Sequence, residues 1–75
     1  MLNNVDLSKL RIFKEVYLKL NIHRASEILQ ITPSAVSQSL KNLELDLGKQ
    51  LFIRSKQRIV ATELARDFYE RIIPL

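Results

Sequence analysis

The stretch Thr32-Pro33-Ser34-Ala35-Val36-Ser37-Gln38-Ser39-Leu40-Lys41-Asn42-Leu43-Glu44-Leu45-Asp46-Leu47-Gly48 carries its own start and stop signals. Threonine is a good N-cap, because its hydroxyl oxygen accepts from a first-turn N–H that has no partner inside the helix. Proline suits the first helical position, where its missing N–H would go unused. Glycine suits the position just past the end, where left-handed backbone costs it little. Between these marks Val36, Leu40, Leu43 and Leu47 recur at steps of four, three and four, the spacing of one helix face. Residues 33–47 are therefore predicted to form a helix with a single core-facing stripe.

The opposite face has a different chemistry. Ser34, Ser37, Gln38 and Lys41 fall at relative positions 0, +3, +4 and +7. Serine hydroxyls donate or accept, glutamine can pair bidentately with adenine, and lysine can reach phosphate or guanine. From Gln30 through Leu43 there is no acidic residue; Glu44 and Asp46 come only near the C-terminal end. Taken alone, such a face reads as solvated surface. Its neighbours in the chain alter that balance.

Upstream, Leu10, Phe13, Val16, Tyr17 and Leu20 give a first helix an apolar face, with Asp6 or Ser8 as its cap. Asn21-Ile22-His23 interrupts the pattern, a short second helix is predicted from about Arg24 to Leu29, and Gln30-Ile31 makes the turn. Downstream, Leu51-Phe52-Ile53 and Ile59-Val60-Ala61 are two short β-prone runs, separated by the basic segment Arg54-Ser55-Lys56-Gln57-Arg58. Thr62 is placed to cap a last helix, with Leu64, Ala65, Phe68 and Ile72 as its packing face. The expected fold is mainly α: a winged helix-turn-helix of three core helices, a short two-stranded wing over about 51–61, and a C-terminal helix. Residues 1–61 are assigned to the winged domain and 62–75 to the start of the last helix.

Composition narrows the function classes. Seventy-five residues make one small domain. With no Cys and one His, neither disulfides nor a tetrahedral zinc site is expected, and no other metal or cofactor is indicated. No Gly-rich phosphate loop, paired carboxylates or Ser/His/Asp arrangement appears, so no enzyme is expected. No run approaches the roughly 18 apolar residues of a membrane span. The first residues lack the basic and apolar regions of a signal peptide, so a soluble cytoplasmic protein is expected. Twelve Lys/Arg against 8 Asp/Glu leave a net charge of +4. Lys49, Arg54, Lys56 and Arg58 fall in ten residues without an acid, which suits an anionic partner.

Two short helices, a tight turn and a basic hairpin suit double-stranded DNA. A helix fits a major groove about 12 Å wide, and Ser34, Ser37, Gln38 and Lys41 would then face base edges and phosphates. Arg54 and Lys56 in the wing would touch the backbone. Arg54 has a structural rival role, pairing with Glu44 at the base of the wing. His23 is read as a cap or a phosphate contact, with Arg24 beside it the stronger phosphate ligand. Leu45 has no place in this scheme except as an apolar contact or a stray surface leucine. The alternative is a winged-helix interaction module that binds no DNA, which would favour acidic or bulky apolar residues where Ser34, Ser37 and Gln38 stand.

The segments His23-Arg24-Ala25-Ser26-Glu27-Ile28-Leu29 and Ile31-Thr32-Pro33-Ser34-Ala35-Val36-Ser37-Gln38-Ser39-Leu40, then Leu43-Glu44, Leu47-Gly48 and Leu51-Phe52-Ile53-Arg54, closely resemble the LysR-type transcriptional regulators. The resemblance covers nearly the whole chain, from about Asp6 to the last helix. It implies bacterial transcription control, a last helix that pairs two subunits into a homodimer, and a separate C-terminal domain that senses a small-molecule effector. The chain would then be the DNA-binding part of a protein about four times longer. By the same resemblance Thr32, Pro33, Ser34, Ser37, Gln38 and Lys41 match DNA contacts, followed by Arg24, Arg54 and Lys56. Three features depart from the pattern: Ser26 replaces an Ala, Gln30 stands where residues tolerant of positive φ are frequent, and Thr62-Glu63-Leu64-Ala65 replaces Thr-Glu-Ala-Gly.

Overall fold

The computed structural model describes residues 7–55 and 58–72. The chain runs through α1 (Leu7–Lys19), α2 (Ile22–Leu29), α3 (Pro33–Leu47), β1 (Phe52–Arg54), β2 (Ile59–Ala61) and α4 (Glu63–Ile72). This is the winged helix-turn-helix order that the sequence leads one to expect.

In α1, Leu10, Phe13 and Val16 are buried. Leu20, expected to continue that stripe, has left the helix: its φ is 50° and its side chain is 45% exposed. Its N–H donates to the Val16 carbonyl at 2.7 Å, so it closes α1 in a left-handed conformation that lets the chain reverse. Of the two expected caps, Ser8 lies inside α1 and Asp6 lies outside the described residues.

The second helix starts two residues earlier than its periodicity suggests. Asn21 is extended, and its Oδ1 accepts from the Arg24 N–H at 2.9 Å. Asparagine is among the strongest N-caps, so His23 falls in the first turn and is not the cap. The His23 carbonyl accepts from Ser26 Oγ at 2.7 Å, so the buried serine is satisfied and fits where α2 packs. Gln30 ends α2 at φ 59°, and the Ile31 N–H donates to the Ser26 carbonyl at 3.1 Å. The positive φ expected at this turn is present.

Helix α3 has the predicted limits. Thr32 Oγ1 accepts from the Ala35 N–H at 3.0 Å, and Gly48 adopts φ 72° with its N–H donating to the Glu44 carbonyl at 2.8 Å. Val36, Leu40 and Leu43 are fully buried, while Leu47 packs at the edge of the core. The hairpin is antiparallel, with Phe52 opposite Ala61, Ile53 opposite Val60 and Arg54 opposite Ile59.

One carboxylate joins helix to wing. Glu44 Oε2 accepts from the Leu51 N–H at 2.8 Å and the Phe52 N–H at 3.1 Å. The expected Glu44–Arg54 pairing is thereby corrected: backbone donors take the carboxylate, and the Arg54 side chain is exposed. Thr62 completes the junction. Its Oγ1 accepts from the Ala65 N–H at 3.1 Å, as expected of a cap, and shares its proton between the Gln50 and Leu51 carbonyls.

Phe13 is the centre of the core. Its ring lies 5.1 Å from Phe68 in a T-shaped pair, 5.7 Å from Phe52 and 5.8 Å from Tyr17. Tyr17 stacks on Tyr69 at 4.4 Å. Helix α4 is thus held on α1 through aromatic faces, with Ala65 fully buried beneath them. The side chain of Ile72, expected on the same face, lies outside the described residues. No helix among the described residues is long and apolar enough to cross a membrane.

Candidate nucleic-acid interface

The exposed side of α3 opens onto a cleft of about 390 Å³. Pro33, Ser34, Ser37, Gln38 and Lys41 line it from α3, Ile22 and His23 from α2, and Arg54 from β1. Helical spacing alone puts the four polar α3 residues on one face. Tertiary packing adds the rest, because α2 packs on α3 and the cleft is also lined by Arg54 of the hairpin.

Thr32 and Gln38 both keep hydrogen-bonding groups unspent. Thr32 spends an oxygen lone pair on the Ala35 N–H and keeps its hydroxyl proton to donate. Gln38 Nε2 donates to Asn42 Oδ1 at 3.2 Å, one turn further along. That bond uses one amide proton and leaves the second, with the carbonyl oxygen, for a bidentate contact. Asn42 was not singled out in the sequence; its place one turn after Gln38 was the available signal.

The two carboxylates of α3 are both engaged away from the cleft. Glu44 holds the backbone at the start of the wing, and Asp46 pairs with Lys9 of α1 at 2.8 Å. Among the described residues, the cleft is lined by two cations, one histidine and no acid. An anion approaching α3 therefore meets attraction without a matching repulsion.

Not every expected site residue converges here. Arg24 is exposed on α2 but does not line the cleft, and Thr32 sits at the helix start just outside it. Lys56 lies outside the described residues. Ile22 is an addition, and His23, expected as a cap or phosphate contact, lines the cleft with Lys41 and Arg54. Arg58 lines a second, adjoining cleft with His23 and Arg54. Among the described residues, no group of three or more His, Cys, Asp or Glu could hold a metal ion.

Known proteins share both sequence and shape with this chain. The family model for the bacterial regulatory helix-turn-helix protein, lysR family, matches residues 7–66. The uncharacterised HTH-type transcriptional regulator YbeF of Escherichia coli (strain K12) is 41% identical over 71 residues, which are 95% of this chain and 22% of YbeF. The chain thus spans under a quarter of that curated relative. The crystal structure of the BenM DNA-binding domain with catB site 1 DNA superposes with a TM-score of 0.87 at 30% identity, covering 93% of this chain and 79% of that one. The CbnR DNA-binding domain in its DNA complex gives a TM-score of 0.86 at 27% identity, covering 93% and 84%. The chain belongs to the lysR family of bacterial regulatory helix-turn-helix proteins.

Proposed function

We propose that this domain reads duplex DNA for a bacterial transcription regulator, with α3 in the major groove and the wing on the backbone. The observation that carries this reading is the acid-free cleft where Ser34, Ser37, Gln38 and Lys41 meet His23 and Arg54, with both α3 carboxylates tied off elsewhere. That BenM and CbnR domains of the same fold were crystallised with DNA supports it. Gln38 and the serines read base edges; Thr32, Pro33 and Lys41 approach the backbone at the helix start and along its flank. Arg24, Arg54 and Lys56 contact phosphates beyond α3. Residues 1–61 form the reading unit, and 62–75 begin a helix through which two subunits pair on a partly palindromic site. A further domain of the full regulator binds a small-molecule effector, and the protein acts in the cytoplasm.

Selection of bound sites from random duplex DNA, followed by titration of the selected duplex over a range of salt, tests this. Each phosphate contact contributes a slope of about −0.9 to log K against log salt. Arg54→Ala is expected to weaken every sequence alike and to flatten that slope by about one contact. Gln38→Ala is expected to change the selected bases at one or two positions while leaving the slope intact. Absence of salt-sensitive duplex binding, even after artificial dimerisation, ends the proposal.

A further inference from the structure

His23 stands where two clefts meet. It lines the α3 cleft with Lys41 and Arg54, and an adjoining cleft of about 280 Å³ with Arg54, Ser55 and Arg58 at the base of the wing. It is the only histidine of the chain, and it is exposed. Among the described residues, the charged groups that share these clefts with it are Lys41 from α3, Arg54 from β1 and Arg58 beside β2. Arg24 and Glu27 share its own helix. Glu27 is exposed and lines neither cleft, and among the described residues no hydrogen bond or ion pair engages the imidazole. Among the described residues, the two clefts that this ring lines hold Lys41, Arg54 and Arg58 and no carboxylate.

That arrangement has a consequence for proton binding. A neutral imidazole adds nothing to an anion site by charge, whereas an imidazolium adds a charge and makes both ring nitrogens donors. Among the described residues, no group lining these clefts is a counter-ion for the charged form. A phosphate held between Lys41 and Arg54 would be one.

We propose that His23 is a proton-linked phosphate contact, taking up a proton from solvent as duplex DNA enters the cleft. The inference rests on the DNA-binding reading above. The proton goes to the ring nitrogen that is bare in the neutral form, and no other bond is made or broken. Where the free ring is neutral and the DNA-bound ring is charged, binding consumes a proton, so affinity rises as pH falls.

The test is binding of the 75-residue chain to a mixed-sequence duplex of about three helical turns, at about pH 6 and about pH 8, each over a range of salt. The wild-type chain is expected to bind roughly three- to tenfold tighter at the lower pH. Its salt slope there is expected to be steeper by about 0.9, the signature of one more phosphate contact. His23→Gln should bind equally at both pH values, with the slope of the wild type at pH 8. His23→Arg should bind equally at both, with the slope of the wild type at pH 6, a rescue that a purely structural role for His23 does not predict. Circular dichroism establishes that each variant is folded. The inference is overturned if wild-type affinity is independent of pH, or if His23→Gln keeps the wild-type ratio. Absence of salt-sensitive binding by every variant at both pH values, even after artificial dimerisation, removes the DNA-binding reading itself, and this inference with it.

Discussion

Two single residues hold backbone conformations that their side chains disfavour. Leu20 and Gln30 sit at φ 50° and 59°, where an L-residue other than glycine costs roughly 1–2 kcal/mol. Each ends a helix and allows the next to begin almost at once, which brings α1, α2 and α3 together. Gln30 is exposed, so its side chain adds little packing to offset the strain. Gln30→Gly is therefore expected to stabilise the domain by up to about 1 kcal/mol. For a domain of this size that raises Tm by about 4–8 °C. A thermal melt showing no increase contradicts this account. The position of Gln30 in a short turn already marked it in the sequence. Leu20 gave no such signal, because its spacing from Val16 is also that of a continuing helix.

Among the elements, α3 has two faces of different chemistry. Its stripe of Val36, Leu40 and Leu43 was legible because helical periodicity is local, and the same periodicity separated Ser34, Ser37, Gln38 and Lys41 from it. What its acids do was not legible. Glu44 fastens the Leu51 and Phe52 N–H groups, and so sets where the wing leaves the core. Glu44→Ala is expected to cost about 1–3 kcal/mol, because those partly buried donors lose their acceptor. Glu44→Gln keeps an acceptor oxygen and should recover part of the loss. Urea unfolding of the three proteins checks the order, and equal stability of the alanine and glutamine variants would refute it. Arg54 is released by this arrangement to face the cleft, which its rival role as a partner of Glu44 would have prevented.

For the molecule as a whole, the aromatic cluster is the main joint between the first and last helices. Phe13 is fully buried and touches rings from β1 and α4 as well as its own helix. Phe13→Ala is expected to cost about 3–5 kcal/mol, a large share of the 5–15 kcal/mol that a small domain commonly has. Circular dichroism should show a sharply lowered melting point or loss of helix at room temperature; a Tm within a few degrees of the wild type would refute the central role given to this ring. Because Phe68 and Tyr69 rest on Phe13 and Tyr17, the direction in which α4 leaves the domain is set by the same core that supports α3. In the proposed dimer, that direction would relate the two α3 helices to each other.

The limits of α3, the turn at Gln30, the cap at Thr62 and the two faces of the recognition helix were set by the order of residues alone. Each depends on atoms within about one helical turn of one another: a hydroxyl and a nearby N–H, a glycine at a helix end, a repeat of three and four. The cleft required the folded molecule. His23, Lys41 and Arg54 come from α2, α3 and β1, and the engagements of Glu44 with the wing and Asp46 with α1 join segments the sequence keeps apart. Local patterns specify which way a side chain faces on its own element. Only the packing of one element on another decides which charges become neighbours, and so where an anion is drawn.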